Sequence, residues 1–195
     1  LRGCPCSACA VWWPAASLLT GNLSALERRT RMSLARDLET PTMWVLDRVP
    51  GPDVDIAGCC EVALWLREVL DSVDLLGFAK TSGSKGMQMY VPLNTPHDYD
   101  HTSSFALALG QLLAKRHPKR VLTEMTKAKR SGKVFVDWSQ NARHKTTITP
   151  YSTRARDRPT VSTPISWDAV SYTHLRAHET VLDLVCRLLL EKTKN

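Results

Sequence analysis

The chain has 195 residues, enough for one domain or for part of a larger one. With 43% hydrophobic and 23% charged residues it has the composition of a folded globular protein, which excludes wholesale disorder. No segment reaches the roughly 18 consecutive apolar residues that a membrane-spanning helix needs. The net charge of +7 favours an anionic partner, and it is concentrated: from Lys115 to Arg158, thirteen bases face only Glu124, Asp137 and Asp157. Such a stretch is either a solvated face or a surface that neutralises phosphates and releases their counterions.

In chain order, Leu1–Gly21 is small and apolar but has neither an initiating Met nor a charged n-region beyond Arg2, and it reads as the start of a fragment. Its Cys4, Cys6 and Cys9 lack the second Cys or His pair of a zinc site. Cys59 and Cys60 fall in an apolar helical pattern, and unpaired buried thiols fit a reducing cytoplasm. Met43–Asp47 is an apolar run ending in a carboxylate, a buried strand. Pro50-Gly51-Pro52 breaks it, and Asp53 or Asp55 caps a helix from Ile56 to Val73 with Cys59, Ala63, Leu66, Leu70 and Val73 inward.

Phe78–Thr81 and Met87–Leu93 read as strands about the polar turn Ser82–Gly86. Thr102 or Ser103 caps a second helix to Arg116, with Phe105, Leu109, Leu112 and Leu113 inward. A short helix over 121–130 and strands at Lys133–Trp138 and Thr146–Thr149 follow. Strand, helix, strand, strand, helix, strand is the split βαβ, ferredoxin-like order, an α+β class that hosts many unrelated activities.

Carboxylates at strand ends, Asp47 and Asp137, are rigid platforms for hard divalent cations, which prefer oxygen ligands. Taken by itself, each reads first as an ordinary strand-terminal or turn aspartate. The turn Ser82–Gly86 combines small residues, backbone N–H groups, two hydroxyls and Lys85, which suits a triphosphate; the alternative is a plain hairpin turn.

Three segments carry a resemblance: Asp47-Arg48-Val49-Pro50-Gly51-Pro52; Lys80-Thr81-Ser82-Gly83-Ser84-Lys85-Gly86; and Lys133-Val134-Phe135-Val136-Asp137-Trp138-Ser139-Gln140-Asn141 with the following Lys145-Thr146-Thr147 and Pro150–Arg156. Together, over about Asn22 to Val170, they resemble the polymerase domain of bacterial ATP-dependent DNA ligase D, a branch of the archaeo-eukaryotic primase superfamily truncated here at its N-terminus. The resemblance implies an incomplete ferredoxin-like (RRM-like) α+β core. It implies a DNA repair nucleotidyltransferase that adds nucleotides, preferably ribonucleotides, to DNA ends in non-homologous end joining.

It further implies Asp47 and Asp137 as catalytic ligands of Mn²⁺ or Mg²⁺. Lys80, Ser82, Ser84, Lys85, Gly86, Arg154 and Arg156 would meet the NTP substrate, and Lys127, Lys129, Arg130, Lys133 and Lys145 the DNA. The partners implied are gapped or broken DNA, a Ku-type end-binding protein and a ligase domain of the same polypeptide. The location implied is the bacterial cytoplasm at the nucleoid.

The chain departs from the family at two sites. Val49 stands where a second carboxylate is expected, and Arg29 and Thr30 stand where a His-Pro pair is expected. An inactive fragment is therefore expected, with a DNA-end-binding module that has lost its metal site as the alternative. Domain limits of 1–21 (unmatched), 22–169 (partial polymerase domain) and 170–195 follow, the last resembling a translated sequencing adapter.

Overall fold

The computed structural model describes residues 27–171, together with Leu18, Gly21 and Asn22. Its centre is a six-stranded sheet. The strands are β4 (Met43–Pro50), β5 (Phe78–Thr81), β6 (Met87–Pro92), β7 (Val121–Leu122), β8 (Val134–Asp137) and β12 (Pro164–Ile165), in the order β12-β5-β6-β4-β8-β7. Helix α1 (Ile56–Asp71) joins β4 to β5, and α2 (Tyr99–Arg116) joins β6 to β7 and β8. The inner order β5-β6-β4-β8 is antiparallel throughout and is the split βαβ arrangement expected from the sequence.

Short strands β1 (Arg29–Thr30), β2 (Ser33–Leu34) and β3 (Asp37–Pro41) precede the sheet. Strands β9 (Thr147–Ile148), β10 (Thr153–Arg154) and β11 (Thr160–Val161) follow β8, and β1 pairs with β9. No helix among the described residues is long and apolar enough to cross a membrane.

Alternation along β4 sorts its side chains between two faces. Trp44 and Leu46 join Met87, Met89 and Val91 of β6 and Val134 and Val136 of β8 against Cys59, Val62, Ala63 and Leu66 of α1 and Ala106, Leu109 and Leu113 of α2. Both helices therefore cover one face, and their packing makes the main core. Val45 faces the other side, with Met32 and Tyr99.

Arg48 continues the Trp44–Leu46 series and enters the helix-covered core. It is 0% exposed, and Nε and both Nη atoms lack a hydrogen-bond partner. Alternation thus turns Arg48 away from Asp47, and a buried cation without a partner carries an uncompensated desolvation penalty. That burial pushes the guanidinium down to about 10, and the same apolar setting pushes the Cys59 thiol up to about 12.

Other expectations shift by a residue or a turn. Asp55 caps α1 through Gly58 N–H (3.1 Å), and the helix ends at Asp71, leaving Val73 exposed. Asp98, not Thr102 or Ser103, caps α2 through His101 N–H (2.6 Å), so the cap lies four or five residues earlier than expected. Phe105 lies at the core's edge against Trp44, with ring centroids 5.4 Å apart. The helix expected at 121–130 is instead β7, a loop and a single 3₁₀ turn, Lys127–Arg130.

The tail set apart from Val170 onward begins inside helix α3 (Trp167–Ser171), where Val170 is 0% exposed and Trp167 donates to Gly77 O at 2.9 Å. The rest of that tail, and most of Leu1–Gly21, lie outside the described residues.

Candidate active site

The open face of the sheet carries a cleft of about 330 Å³. In the antiparallel pairing of β4 and β8, Asp47 lies directly opposite Asp137, so the two carboxylates project on one face. Asp47 lines the cleft at its floor. Crowding by protein atoms, and then the charge of Asp137, push its carboxyl up to about 6 against the opposing effects of Gln88, Arg48 and Lys80. Asp137 is held by its own turn: Oδ1 accepts from Ser139 N–H at 2.9 Å and from Ser139 Oγ at 2.7 Å. Two residues beyond Asp47 on the same face, Val49 lines the cleft with an apolar side chain.

The turn after β5 forms one wall, contributing Ser82, Ser84, Lys85 and Gly86. Ser82 Oγ accepts from the N–H groups of Ser84 and Gly86, each at 3.2 Å, which ties the turn closed. Those two amides are thereby used internally, so this wall offers a ligand side chains rather than the N–H cradle its composition suggests. The turn also needs its glycines. Gly83 has φ of +64°, and a Cβ at Gly86 would collide with the carbonyl oxygen of Arg48 on β4.

Arg156 reaches over the turn to Ser84 Oγ (2.5 Å), and Arg154 is held by Glu27 (3.1 Å). Both line the cleft. Lys80 does not. It is 2% exposed, donates to Ser162 Oγ at 2.6 Å, lies 5.4 Å from the Tyr90 ring centroid, and is pushed down to about 7 by burial. It stands behind the wall, near Asp47, rather than in the cleft.

Several site residues carry no role in the sequence reading. Gln88, paired with Asp47 across β4 and β6, fixes its amide by accepting from Tyr90 OH (2.9 Å) and Thr147 Oγ1 (3.2 Å), leaving its NH₂ for Asp47. The signal was present: Gln88 and Tyr90 alternate with Met87 and Met89, and a polar file on a buried strand needs a reason.

Asn141 closes β4 beyond the end of β8. It accepts from Val45 N–H (2.8 Å) and donates to Val45 O (2.7 Å) and Trp138 O (2.9 Å). Arg29 enters the cleft from β1, with Nε donating to Thr146 Oγ1 and Nη2 to Thr146 O, both at 3.1 Å.

The basic residues expected on DNA lie apart from the cleft's centre. Lys127, Lys129 and Arg130 occupy the 3₁₀ turn, and Lys133 follows it. That turn abuts the far end of β4, since Gly51 N–H donates to Lys133 O at 2.9 Å. Lys129 is paired with Glu124 (2.8 Å), and Arg130 lies over the Phe135 ring at 3.8 Å. Lys145 adjoins Thr146 at the opposite rim.

A pair of divalent cations does not fit these residues. Asp47 and Asp137 are two carboxylates where two adjacent cations need more, Val49 offers no donor, and Ser139 occupies one Asp137 oxygen. Among the described residues no three His, Cys, Asp or Glu side chains are grouped to hold a metal.

Comparison with known proteins addresses the fold and the family. A family model described as LigD, primase-polymerase domain, matches residues 8–193. The multifunctional non-homologous end joining protein LigD of Mycolicibacterium smegmatis is 45% identical over 135 residues, 69% of this chain and 18% of that protein. The LigD of Mycobacterium tuberculosis (strain H37Rv) is 42% identical over 148 residues, 75% of this chain and 20% of that protein. The bifunctional LigD of Bacillus subtilis is 33% identical over 131 residues, 67% and 21%.

The chain thus spans about a fifth of the length of these curated relatives. Among solved structures, the polymerase domain from Mycobacterium tuberculosis ligase D in complex with DNA matches with a TM-score of 0.80 and 36% identity, covering 89% of this chain and 63% of that one. The split βαβ sheet with its open-face cleft is therefore a primase-like fold, and the chain belongs to the LigD primase-polymerase domain family.

Proposed function

We propose that the cleft receives a nucleoside triphosphate, ribonucleotides in preference, for addition to DNA ends or gaps in non-homologous end joining, and that this chain is impaired in that addition. The observation that carries the reading is the opposition of Asp47 and Asp137 across β4 and β8, with Val49 in the same cleft. Lys85, Arg154 and Arg156 face the position of the phosphates, and Gln88 orients Asp47. Lys80 supports the wall from behind. The segment Lys127–Lys133 and Lys145 take the DNA backbone, whose phosphates carry charge but no base information.

The related Mycobacterium tuberculosis polymerase domain was solved in complex with DNA, which supports the same partner here. The relatives' names support a place in end joining. A Ku-type protein and a ligase domain are the further partners of this reading, and the bacterial nucleoid is its setting. The working unit is proposed to start at about residue 22 and to include helix α3 through Ser171, since Val170 is buried in the core.

The test places this core in a full-length family chimera carrying Val or Asp at position 49 and measures Mn²⁺-dependent ribonucleotide addition to gapped DNA. Activity with Asp and little with Val is expected. Equal activity shows that position 49 is not a metal-ligand position. The second reading, a DNA-end-binding module without catalysis, is favoured by Val49 itself. It predicts salt-sensitive, sequence-indifferent binding to gapped DNA with no addition in either chimera.

A further inference from the structure

We propose that the cleft of this chain binds a phosphate chain without a divalent cation, with Arg29 as the side chain that takes the cation's place. The inference rests on the nucleotide-binding reading of the cleft. It adds a ligand, Arg29, and a metal-free mode to that reading.

Four cationic side chains, Arg29, Lys85, Arg154 and Arg156, line the cleft against one carboxylate, Asp47. Glu27 offsets Arg154 from outside. Arg29, Lys85 and Arg156 form no ion pair with a carboxylate among the described residues. Like charges are brought together around a cavity at an electrostatic cost, and a polyanion removes that cost.

Arg29 is aimed as well as charged. The Thr146 carbonyl and hydroxyl take one edge of its guanidinium through Nε and Nη2, and the β1–β9 pairing of Arg29 with Ile148 fixes its backbone. Of five N–H groups, those on Nη1 and the second on Nη2 are left for a ligand. A planar fork held from behind matches two oxygens of a phosphate and remains charged at any working pH. Arg156 is similarly steadied by Ser84.

The cation side of the balance points the same way. A divalent ion bound to a triphosphate would meet three unpaired bases and two carboxylates, the lining Asp47 and its neighbour Asp137, one oxygen of which is already held by Ser139. The bare polyanion meets complementary charge, so a divalent cation in solution competes for the phosphate chain instead of bridging it to the protein.

The experiment is calorimetry on the whole 195-residue chain with inorganic tripolyphosphate and with ATP, each in EDTA and in excess Mg²⁺. Saturable binding in EDTA, weakened about tenfold or more by Mg²⁺, is expected. Arg29→Ala is expected to weaken the EDTA binding by about tenfold to a hundredfold, the worth of a charge-assisted hydrogen-bond pair. Tighter binding of ATP than of tripolyphosphate assigns the phosphate chain to a nucleotide, and equal binding assigns the site to the chain alone. Both results support it.

Absence of binding in EDTA, binding that appears only with Mg²⁺, or equal affinity of Arg29→Ala overturns the proposal. The EDTA and Mg²⁺ comparison needs no variant, so the proposal stays testable if Arg29→Ala does not fold. Gapped-DNA binding measured in parallel separates the two readings. Tripolyphosphate binding without DNA binding supports this site and removes the end-joining reading. DNA binding without tripolyphosphate binding overturns this site alone.

Discussion

The two faces of β4 carry opposite mismatches. On the helix-covered face the apolar file Trp44–Leu46 is continued by Arg48, a cation with no partner in a core of thiols and aliphatic groups. On the open face Asp47 is followed by Val49, a hydrocarbon among serines, arginines and lysine. On the helix-covered face the file is otherwise apolar, and beside Val49 the cleft lining is mostly polar and charged. The backbone nonetheless keeps its register from Met43 to Pro50. Register is set by the whole strand and its neighbours, so two residues that prefer exchanged faces do not flip it. The penalties differ in kind: the core mismatch falls on stability, and the cleft mismatch falls on chemistry.

The largest expected effect is at Arg48. Arg48→Leu restores the apolar file, and relief of an uncompensated buried charge stabilises the fold by about 3–5 kcal/mol. Urea denaturation measures it as a raised midpoint with little change in slope. A midpoint that is unchanged or lower means that the guanidinium has found a partner, and the contrast between the faces loses its core half.

Asn141 comes next. Asn141→Ala leaves Val45 N–H and C=O without partners in a buried setting, and a loss of about 2–3 kcal/mol is expected in the same assay. Because Asn141 closes β4 beyond Asp137, a loss well under 1 kcal/mol would show the open face to be held by the loop's other contacts.

Asp47 gives an effect confined to a pH window. Its folded carboxyl stands at about 6 against 3.8 for the free group, so the folded chain binds the extra proton between those values. Stability therefore falls as pH rises through that window. Asp47→Asn removes the penalty: the variant is expected to match the parent below about pH 4 and to exceed its stability above about pH 6. A difference that grows instead toward low pH would place a stabilising cation beside Asp47 and reverse the reading of the floor of the cleft.

The helices and central strands were legible because their periodicities are strong and uninterrupted, as in Cys59–Leu70 and Met87–Val91. Helix ends were less legible, because Asp98, Thr102 and Ser103 are all chemically able to cap and only the packing of Tyr99 selects the first. The region 121–130 misled because its apolar and basic residues fit a helical pattern, whereas Val121 and Leu122 pair with β8 over a long sequence separation. Asp137 could be named from its strand-end position and both aspartates from the resemblance, although Asp47 lies inside β4, which runs on to Pro50 rather than ending at the carboxylate. Gln88, Asn141 and Arg29 take their places only through pairings across 41, 96 and 117 residues, which no local pattern encodes. Lys80 is the converse, a motif residue that the fold turns into the wall.

The account's central claim is that the open face is a polymerase-type cleft left short of a carboxylate at position 49. The most direct test is Mn²⁺ binding to the 195-residue chain and to its Val49→Asp variant, followed by the paramagnetic signal of bound ion at fixed protein concentration. Aspartate at 49 shares the face of Asp47 and would add a third carboxylate to Asp47 and its cross-strand neighbour Asp137, so Mn²⁺ affinity is expected to rise at least tenfold, with Arg48→Leu in the same background giving no further gain. Equal Mn²⁺ binding by the two chains would contradict the claim.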